Sequence, residues 1–367
     1  MYAFQSEQYL RFPLSKNIMV MRTSGSTGTY LKVNWDRRNY VDSVMETWLL
    51  RKRYYGISPY DKRCDFYATV YEGNKLVVYP EGQQTIIEGN RISFNRNNLD
   101  EKRIEQIYKE IYEFDPKWLM LQPSHAVLLA QCIEKRNFPK IKNLSFIECN
   151  GEILFEEVRM YLKNIFGCPV GNLYGMTETS TIAYECPYEQ MHVCESNVLV
   201  EILDDNGKSI ENGKEGNVVV TTLTNYAMPF IRYFIGDRGS VEIEHSCKCG
   251  NKSKVLKLTK GRTNDYVIDR NGDKIHAFIF IRPIEFVNER IGHIIKQFQI
   301  IQNGIDDFTV NLSVNPQHLN WKEAISKLFI NSLMQESLYG AKFSFNLQTE
   351  LFPDSRTGKL AYFTRSF

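Results

Sequence analysis

Residues 144–175 read LSFIECNGEILFEEVRMYLKNIFGCPVGNLYG. Leu144 to Cys149 is a short apolar run that stops at Asn150-Gly151, Glu156 to Phe166 reads as a helix, and Pro169 to Leu173 is a second short run ending at Tyr174-Gly175. Runs of that length bounded by glycine read as strands. Strand, helix and strand joined by short turns specify a parallel sheet of the α/β class, whose ligands gather beyond the carboxyl ends of its strands. Both glycine turns fall at such ends.

Upstream, Ile104, Ile107, Tyr108, Ile111 and Tyr112 recur at helical spacing between Glu101 and Phe114, which predicts an amphipathic helix. Downstream the pattern changes at about Asn197. Val198 to Leu203 and Asn217 to Leu223 are β-rich, and Asp205-Asn206-Gly207 between them is a hairpin signal, so a β-subdomain is appended to the α/β core. After Gly261-Arg262 comes an α+β unit. Its strands are Gln297–Ile301, Phe308–Val314 and Phe343–Leu347, with a helix showing Trp321, Ile325, Leu328 and Phe329 on one face. The expected division is a large domain over 1–260, a polar hinge over 261–265 and a small mobile α+β domain over 266–367. A length of 367 residues, at about 150 per domain, also implies roughly two domains.

Composition narrows the function. With 45 basic and 43 acidic residues the net charge is +2, which argues against a nucleic-acid binder that relies on a large positive field. No apolar run approaches the ~18 to 20 residues that cross a bilayer, and the first residues, MYAFQSEQ, lack a secretory pattern. The reading is a cytoplasmic protein with no membrane partner. Aromatic residues reach 13%, which fits packed cores and flat, ring-lined pockets alike.

Thr23-Ser24-Gly25-Ser26-Thr27-Gly28-Thr29, with Lys32 shortly after, packs hydroxyls and glycines together. Glycines let successive N–H groups point at an anion, and hydroxyls add neutral donors. No Gly-Lys-Ser/Thr follows at Walker A spacing, and a Ser/Gly linker has the same composition. Read with later segments, the loop resembles the phosphate-binding signature of adenylate-forming enzymes, the acyl-CoA synthetase and adenylation-domain superfamily. Asn172-Leu-Tyr-Gly-Met-Thr-Glu178 resembles its Tyr-Gly-x-Thr-Glu motif, and Arg232-Tyr-Phe-Ile-Gly-Asp237 its Tyr-x-x-Gly-Asp motif. Gly261-Arg-Thr-Asn-Asp265 resembles its interdomain hinge, and Asp354-Ser-Arg-Thr-Gly-Lys359 its C-terminal Gly-Lys motif. Asn225-Tyr-Ala-Met-Pro-Phe-Ile-Arg-Tyr and Cys247-Lys-Cys-Gly are similar to the phenylacetate–CoA ligase-like branch. The five motifs stand in the superfamily's order from about residue 20 to the end. Relatives carry several dozen residues before the phosphate loop, so the N-terminal segment is expected to be shortened or supplied by another chain.

The resemblance implies an ATP- and Mg²⁺-dependent ligase. A small carboxylic acid, aryl or short acyl, becomes an acyl-adenylate with release of pyrophosphate. The acyl group then passes to a thiol of CoA or of carrier-protein phosphopantetheine. By the same resemblance Thr23, Ser24, Gly25, Ser26, Thr27 and Gly28 hold the β- and γ-phosphates, Tyr174 beside Gly175 stacks on adenine, and Thr177 donates to the α-phosphate. Glu178 binds Mg²⁺, which prefers carboxylate oxygen. Asp237 accepts from both ribose hydroxyls. Arg262 contacts ribose or phosphate, and Gly151 and Glu152 line the nucleotide or acyl pocket through their backbone. Lys359 enters on the small domain and neutralises charge as the carboxylate attacks. Tyr67, Ser124, His125 and Ala126 are candidate acyl-pocket residues by their order along the chain. Tyr30, Asn150, Ile235 and Asn264 depart from the family pattern, and Asn264 bears on the second, domain-rotated half-reaction. Two other readings stay open: transfer to an amine or hydroxyl, and a non-catalytic nucleotide-binding relative.

Among eight cysteines, Cys186 with His192 and Cys247 with Cys249 offer two pairs of soft ligands flanking the β-subdomain, with Cys194 and His245 nearby. A Cys₃His set suits a closed, structural zinc site. Buried free thiols beside a turn histidine explain the same residues equally well.

Overall fold

The computed structural model describes residues 17–22, 31–67, 69–72, 75–78, 84–96, 99–243, 246–260, 266–292, 294–333, 338–353 and 360–367. A 12-stranded sheet dominates it. Its parallel part places Arg91–Asn95, Arg63–Tyr67, Trp118–Leu121, Phe146–Asn150 and Val170–Met176 side by side in that order. Both faces are covered, as such sheets require. Leu119, Leu121, Ile147 and Cys149 pack under helices α2 (Glu101–Phe114), α3 (Pro123–Arg136) and α4 (Glu156–Phe166). The alternate residues Trp118 and Phe146 face the other way, onto Trp48 and Tyr55 of α1 (Arg37–Tyr55).

The predicted β-subdomain continues this same sheet. Ser180–Glu185 returns antiparallel from Val170–Met176, then come Met191–Val193, Val255–Lys260, Tyr233–Glu242, Gly216–Thr222 and, at the edge, Val198–Leu203. The two halves meet where His192 pairs with Val255. Asp205-Asn206-Gly207 makes a local turn, with Gly207 at φ +78°. The chain then makes a second turn at Gly213 before Leu203 finds Asn217 across the ladder.

Two buried ion pairs cross the sheet. Arg51 of α1 forks onto Glu148 with two 2.7 Å bonds, and the Tyr184 hydroxyl donates to the same carboxylate at 2.8 Å. Burial alone would lower the Arg51 pKa; the charge and hydrogen bonds of Glu148 hold it above its ordinary value. Arg159 of α4 forks onto Glu185 at 2.8 Å and donates to the Val170 carbonyl, binding the last parallel strand to the first antiparallel one.

The smaller C-terminal domain has a four-stranded sheet ordered Lys342–Gln348, Asp307–Val314, Ile295–Gly304 and Phe363–Arg365. Helices α5 (Ile281–Ile291) and α6 (Lys322–Ser332) cover it around Phe280, Phe308 and Phe329. Ile325 and Phe329 are buried as expected, but Trp321 ends a 3₁₀ turn begun by Pro316 and is 40% exposed, set edge-on to His318.

Removing one member of a buried ion pair strands the other charge. Arg51→Met should therefore lower the unfolding free energy by about 3–5 kcal/mol. Adding Glu148→Leu to Arg51→Met should recover part of that loss, read from urea unfolding midpoints at constant m.

Candidate functional site

The carboxyl ends of the parallel strands converge as the α/β pattern requires. The strand Val170–Met176 does not stop at Tyr174-Gly175: it runs through a bulge there, and the turn falls at Thr177-Glu178-Thr179. Glycine is required at 175, because a Cβ would lie 2.5 Å from the Ser180 carbonyl of the returning strand. The bulge turns Tyr174 toward the neighbouring β-rich half, where its hydroxyl donates to the Asp237 carboxylate. Glu178 is buried, and its Oε1 accepts from the Tyr233 hydroxyl at 3.2 Å. Thus Tyr174, Thr177 and Glu178, from one strand end and its turn, meet Tyr233 and Asp237 from 55–63 residues further along the chain.

Thr23, Ser24, Gly25, Ser26, Thr27 and Gly28 lie outside the described residues. The strands on either side of them, Ile18–Arg22 and Lys32–Asp36, are antiparallel partners, with Arg22 opposite Lys32. Lys32 is exposed. Trp35 Nε1 donates to the Thr177 carbonyl at 2.9 Å, which fastens this hairpin to the Thr177 turn. Leu31, Val33 and Trp35 pack on Met228 and Phe230, so the Asn225–Tyr233 segment forms the floor beneath the hairpin.

At the next strand end Gly151 takes φ +74° and faces the Gln122 side chain. The Glu152 carboxylate accepts from the Ser124 amide at 3.0 Å, the Ser124 hydroxyl at 2.9 Å and the Leu360 amide at 2.9 Å. Its side chain ties the start of α3 to Leu360 of the C-terminal domain. Lys359, Arg262 and the rest of 261–265 lie outside the described residues, as does the Tyr67 side chain. Ser124, His125 and Ala126 are all buried in the first turn of α3. His125 stacks on Phe66, and neither ring nitrogen has a hydrogen-bond partner among the described residues. Burial, with the nearby Arg96 charge, drives its pKa down to about 3, so the ring stays neutral.

Cys186, His192, Cys247 and Cys249 come together, their ligand atoms all within 4.8 Å of one another. Cys186 and Cys247 sulfurs are 3.7 Å apart, and Cys249 Sγ lies 3.2 Å from His192 Nε2. Zinc–sulfur bonds of about 2.3 Å at tetrahedral angles separate two sulfurs by about 3.8 Å, close to the spacing seen. His192 Nδ1 lies 3.2 Å from the Ser253 carbonyl; a proton there leaves Nε2 as the ligand, the usual outer-shell arrangement. Cys194 is not part of this group: it packs with Leu50 and Tyr184. His245 lies outside the described residues.

Some residues that build the site carry no motif. Asn197 is buried and donates to the carbonyls of Thr179 (2.8 Å) and Thr181 (2.6 Å), fixing the turn after Glu178. Trp35 and Tyr233 position Thr177 and Glu178.

With this geometry in view, residues 11–226, more than half of the chain, match the AMP-binding enzyme family, and the chain belongs to it. It is 30% identical over 197 residues to a phenylacetate-coenzyme A ligase of Thermus thermophilus, covering 52% of this chain and 43% of that protein. It is 23% identical over 262 residues to Protein CapK of Staphylococcus aureus, covering 71% of this chain and 54% of that one. The chain spans about half the length of the curated relatives it matches. Among solved structures, 2-hydroxyisobutyryl-CoA ligase in the postadenylation state with 2-HIB-AMP shares the fold at a TM-score of 0.72 and 16% identity, covering 98% of this chain and 75% of that one. The same ligase in the thioesterification state gives 0.58 at 16% identity, covering 97% and 75%.

Because His125 is held neutral far below the pKa of about 6.5 it has when unfolded, the unfolded chain binds one more proton between those values. Its contribution is complete above pH ~6.5 and declines as the pH falls toward the folded value. His125→Phe should flatten the acid limb of unfolding free energy against pH by up to about 1.4 kcal/mol per pH unit. An unchanged slope would remove this role.

Proposed function

We propose that this chain is an ATP-dependent ligase that converts a small carboxylic acid to its acyl-adenylate, releases pyrophosphate, and passes the acyl group to the thiol of CoA, with carrier-protein phosphopantetheine as the alternative thiol. The observation that carries this reading is the constellation of Tyr174, Thr177, Glu178 and Asp237 at the strand ends, fastened to the hairpin that flanks residues 23–28. The named activities of the Thermus ligase and of 2-hydroxyisobutyryl-CoA ligase support it.

The reaction joins two anions, so the site must supply donors and cations, not a strong base. The Thr23–Gly28 loop cradles the outer phosphates. Tyr174 presents its ring to adenine while its hydroxyl holds Asp237 in place to receive the ribose hydroxyls. Thr177, its carbonyl pinned by Trp35, offers its hydroxyl to the α-phosphate. Glu178 supplies the hard oxygen ligand that suits Mg²⁺, which when bound offsets phosphate charge. Residues 1–260 form the large domain, 261–265 the hinge with Arg262 against the nucleotide, and 266–367 the small domain. Lys359, next to the Leu360 amide held by Glu152, compensates charge as the carboxylate oxygen attacks the α-phosphorus and pyrophosphate leaves. The better overlay on the postadenylation form than on the thioesterification form supports reading the small-domain placement as that of the first half-reaction. In the second, the thiol attacks the acyl carbonyl, and AMP and a proton leave.

The Cys186, His192, Cys247 and Cys249 set is read as a structural zinc site, because four protein ligands leave no open position for chemistry. Metal analysis of the purified protein should find about one zinc per chain. Chelation, or Cys249→Ser, should lower the melting temperature. Fully folded, zinc-free protein of unchanged melting temperature removes the assignment.

For the ligase reading, pyrophosphate release should require one of a panel of aryl and short aliphatic acids, and thioester should form only with a thiol acceptor present. Lys359→Ala should cut adenylation by about 10²-fold or more while ATP still binds. Wild-type adenylation rates in that variant would remove Lys359 from the reaction, and pyrophosphate release with no acid present would contradict the ligase reading.

A further inference from the structure

Helix α3 meets the C-terminal domain along one face. Ser124, Val127, Gln131 and Glu134 recur at intervals of three and four residues, which stacks them on one side of a helix. Gln297 Nε2 donates to the Ser124 carbonyl at 3.3 Å. Gln131 Nε2 donates to Ser313 Oγ at 2.7 Å and to the Thr349 carbonyl at 3.0 Å. At the end of this row, Lys296 reaches from the small sheet to Glu134 at 2.5 Å, and donates to the Tyr161 hydroxyl of α4 at 3.0 Å. The Tyr161 hydroxyl in turn donates to the same Glu134 oxygen at 2.5 Å, and the ammonium lies 4.3 Å from its ring centroid.

The Lys296 side chain is only 8% exposed, whereas that of Glu134 is 41% exposed. A lysine that deep must be neutralised where it sits. Its partners both belong to the large domain, so its neutralisation depends on the small domain being docked in this orientation. Apolar packing between the domains is incomplete: Phe155 meets Phe298 and Tyr362 ring to ring, but a cleft of about 70 Å³ remains beside them, lined also by Val127, Val158 and Ile284. Surfaces that face a void forgo dispersion contacts, so the polar contacts around it share with the Phe155 rings in setting the orientation. Glu152 and Leu360, whose amide donates to Glu152, line the same cleft as Lys296.

We infer that Lys296 is a positioning residue: with Glu134 and Tyr161 it forms a latch that holds the small domain where the Leu360 amide meets Glu152, and whose release lets the domain turn for thioester formation. The latch itself stands on the contacts; its consequence for the two half-reactions rests on the ligase reading. Because Glu134 is partly in water, the pair biases the orientation and does not lock it.

Lys296→Met keeps the stem and removes the charge. The variant should show a broader distance distribution in solution X-ray scattering and about five-fold faster tryptic cleavage at the 261–265 connection. Acid-dependent pyrophosphate exchange should fall by a similar factor, while thioester formation from supplied acyl-adenylate holds or rises. Glu134→Gln should move each readout in the same direction, and the double variant should be no worse than Lys296→Met alone. Scattering and cleavage identical to the parent, or equal losses in both half-reactions, would overturn the latch. If no acid supports exchange in the parent, the ligase reading fails, and scattering and cleavage still decide the latch.

Discussion

The Arg51–Glu148 pair is the constraint on which the rest depends. Glu148 lies in the middle of a parallel strand, at a position that only a fully compensated charge tolerates. Its compensation comes from α1, and that fixes the helix against the sheet face lined by Trp118 and Phe146. Once α1 is fixed, its last turn reaches the other half of the molecule. The Tyr55 hydroxyl donates to the Glu185 carbonyl, and Arg53 donates to the Cys249 carbonyl. One buried carboxylate thereby aligns the parallel strands, the first returning strand and the loop that bears two cysteines.

The candidate site is an assembly of strand ends whose relative heights are set by those alignments. Tyr174 comes from the parallel half and Asp237 from the antiparallel half, and they meet because the two halves are one sheet. A sheet joined at a single register pair, His192 with Val255, is open to shear at that point. The Cys186, His192, Cys247 and Cys249 set sits at this joint, so any ligation there acts on the distance between Tyr174 and Asp237.

Local signals were legible in sequence and long-range ones were not. Helices α2 and α4 occupy Glu101–Phe114 and Glu156–Phe166 as their periodicity predicts, closed by local devices: the Asp100 side chain caps the first, and Gly167 in a left-handed conformation ends the second. Gly175 looked like a turn because its need for a small residue is local, whereas its place within a strand depends on Ser180 of the returning strand. The Glu152 carboxylate's bond to the Leu360 amide could not be read locally, because its partner lies more than 200 residues away. Asn197 left no trace, since a buried polar residue that braces a distant turn has no periodicity. The motif residues of the site were readable because a glycine, a tyrosine and an acid at fixed spacing carry their chemistry in their identity.

The joint at His192 also orders events in time. Cys186 and His192 leave the ribosome well before Cys247, which follows Cys186 by 61 positions. At synthesis rates of about 5–20 residues per second the first pair waits about 3–12 s for the second. During that interval the parallel strands, all within the first 176 residues, already have every one of their sheet neighbours; only Met191–Val193 waits for a partner. The nascent chain therefore passes through a half-sheet whose Met191–Val193 strand still lacks its second neighbour. That edge closes when Val255 arrives, and until then its unpaired backbone is open to wrong pairing.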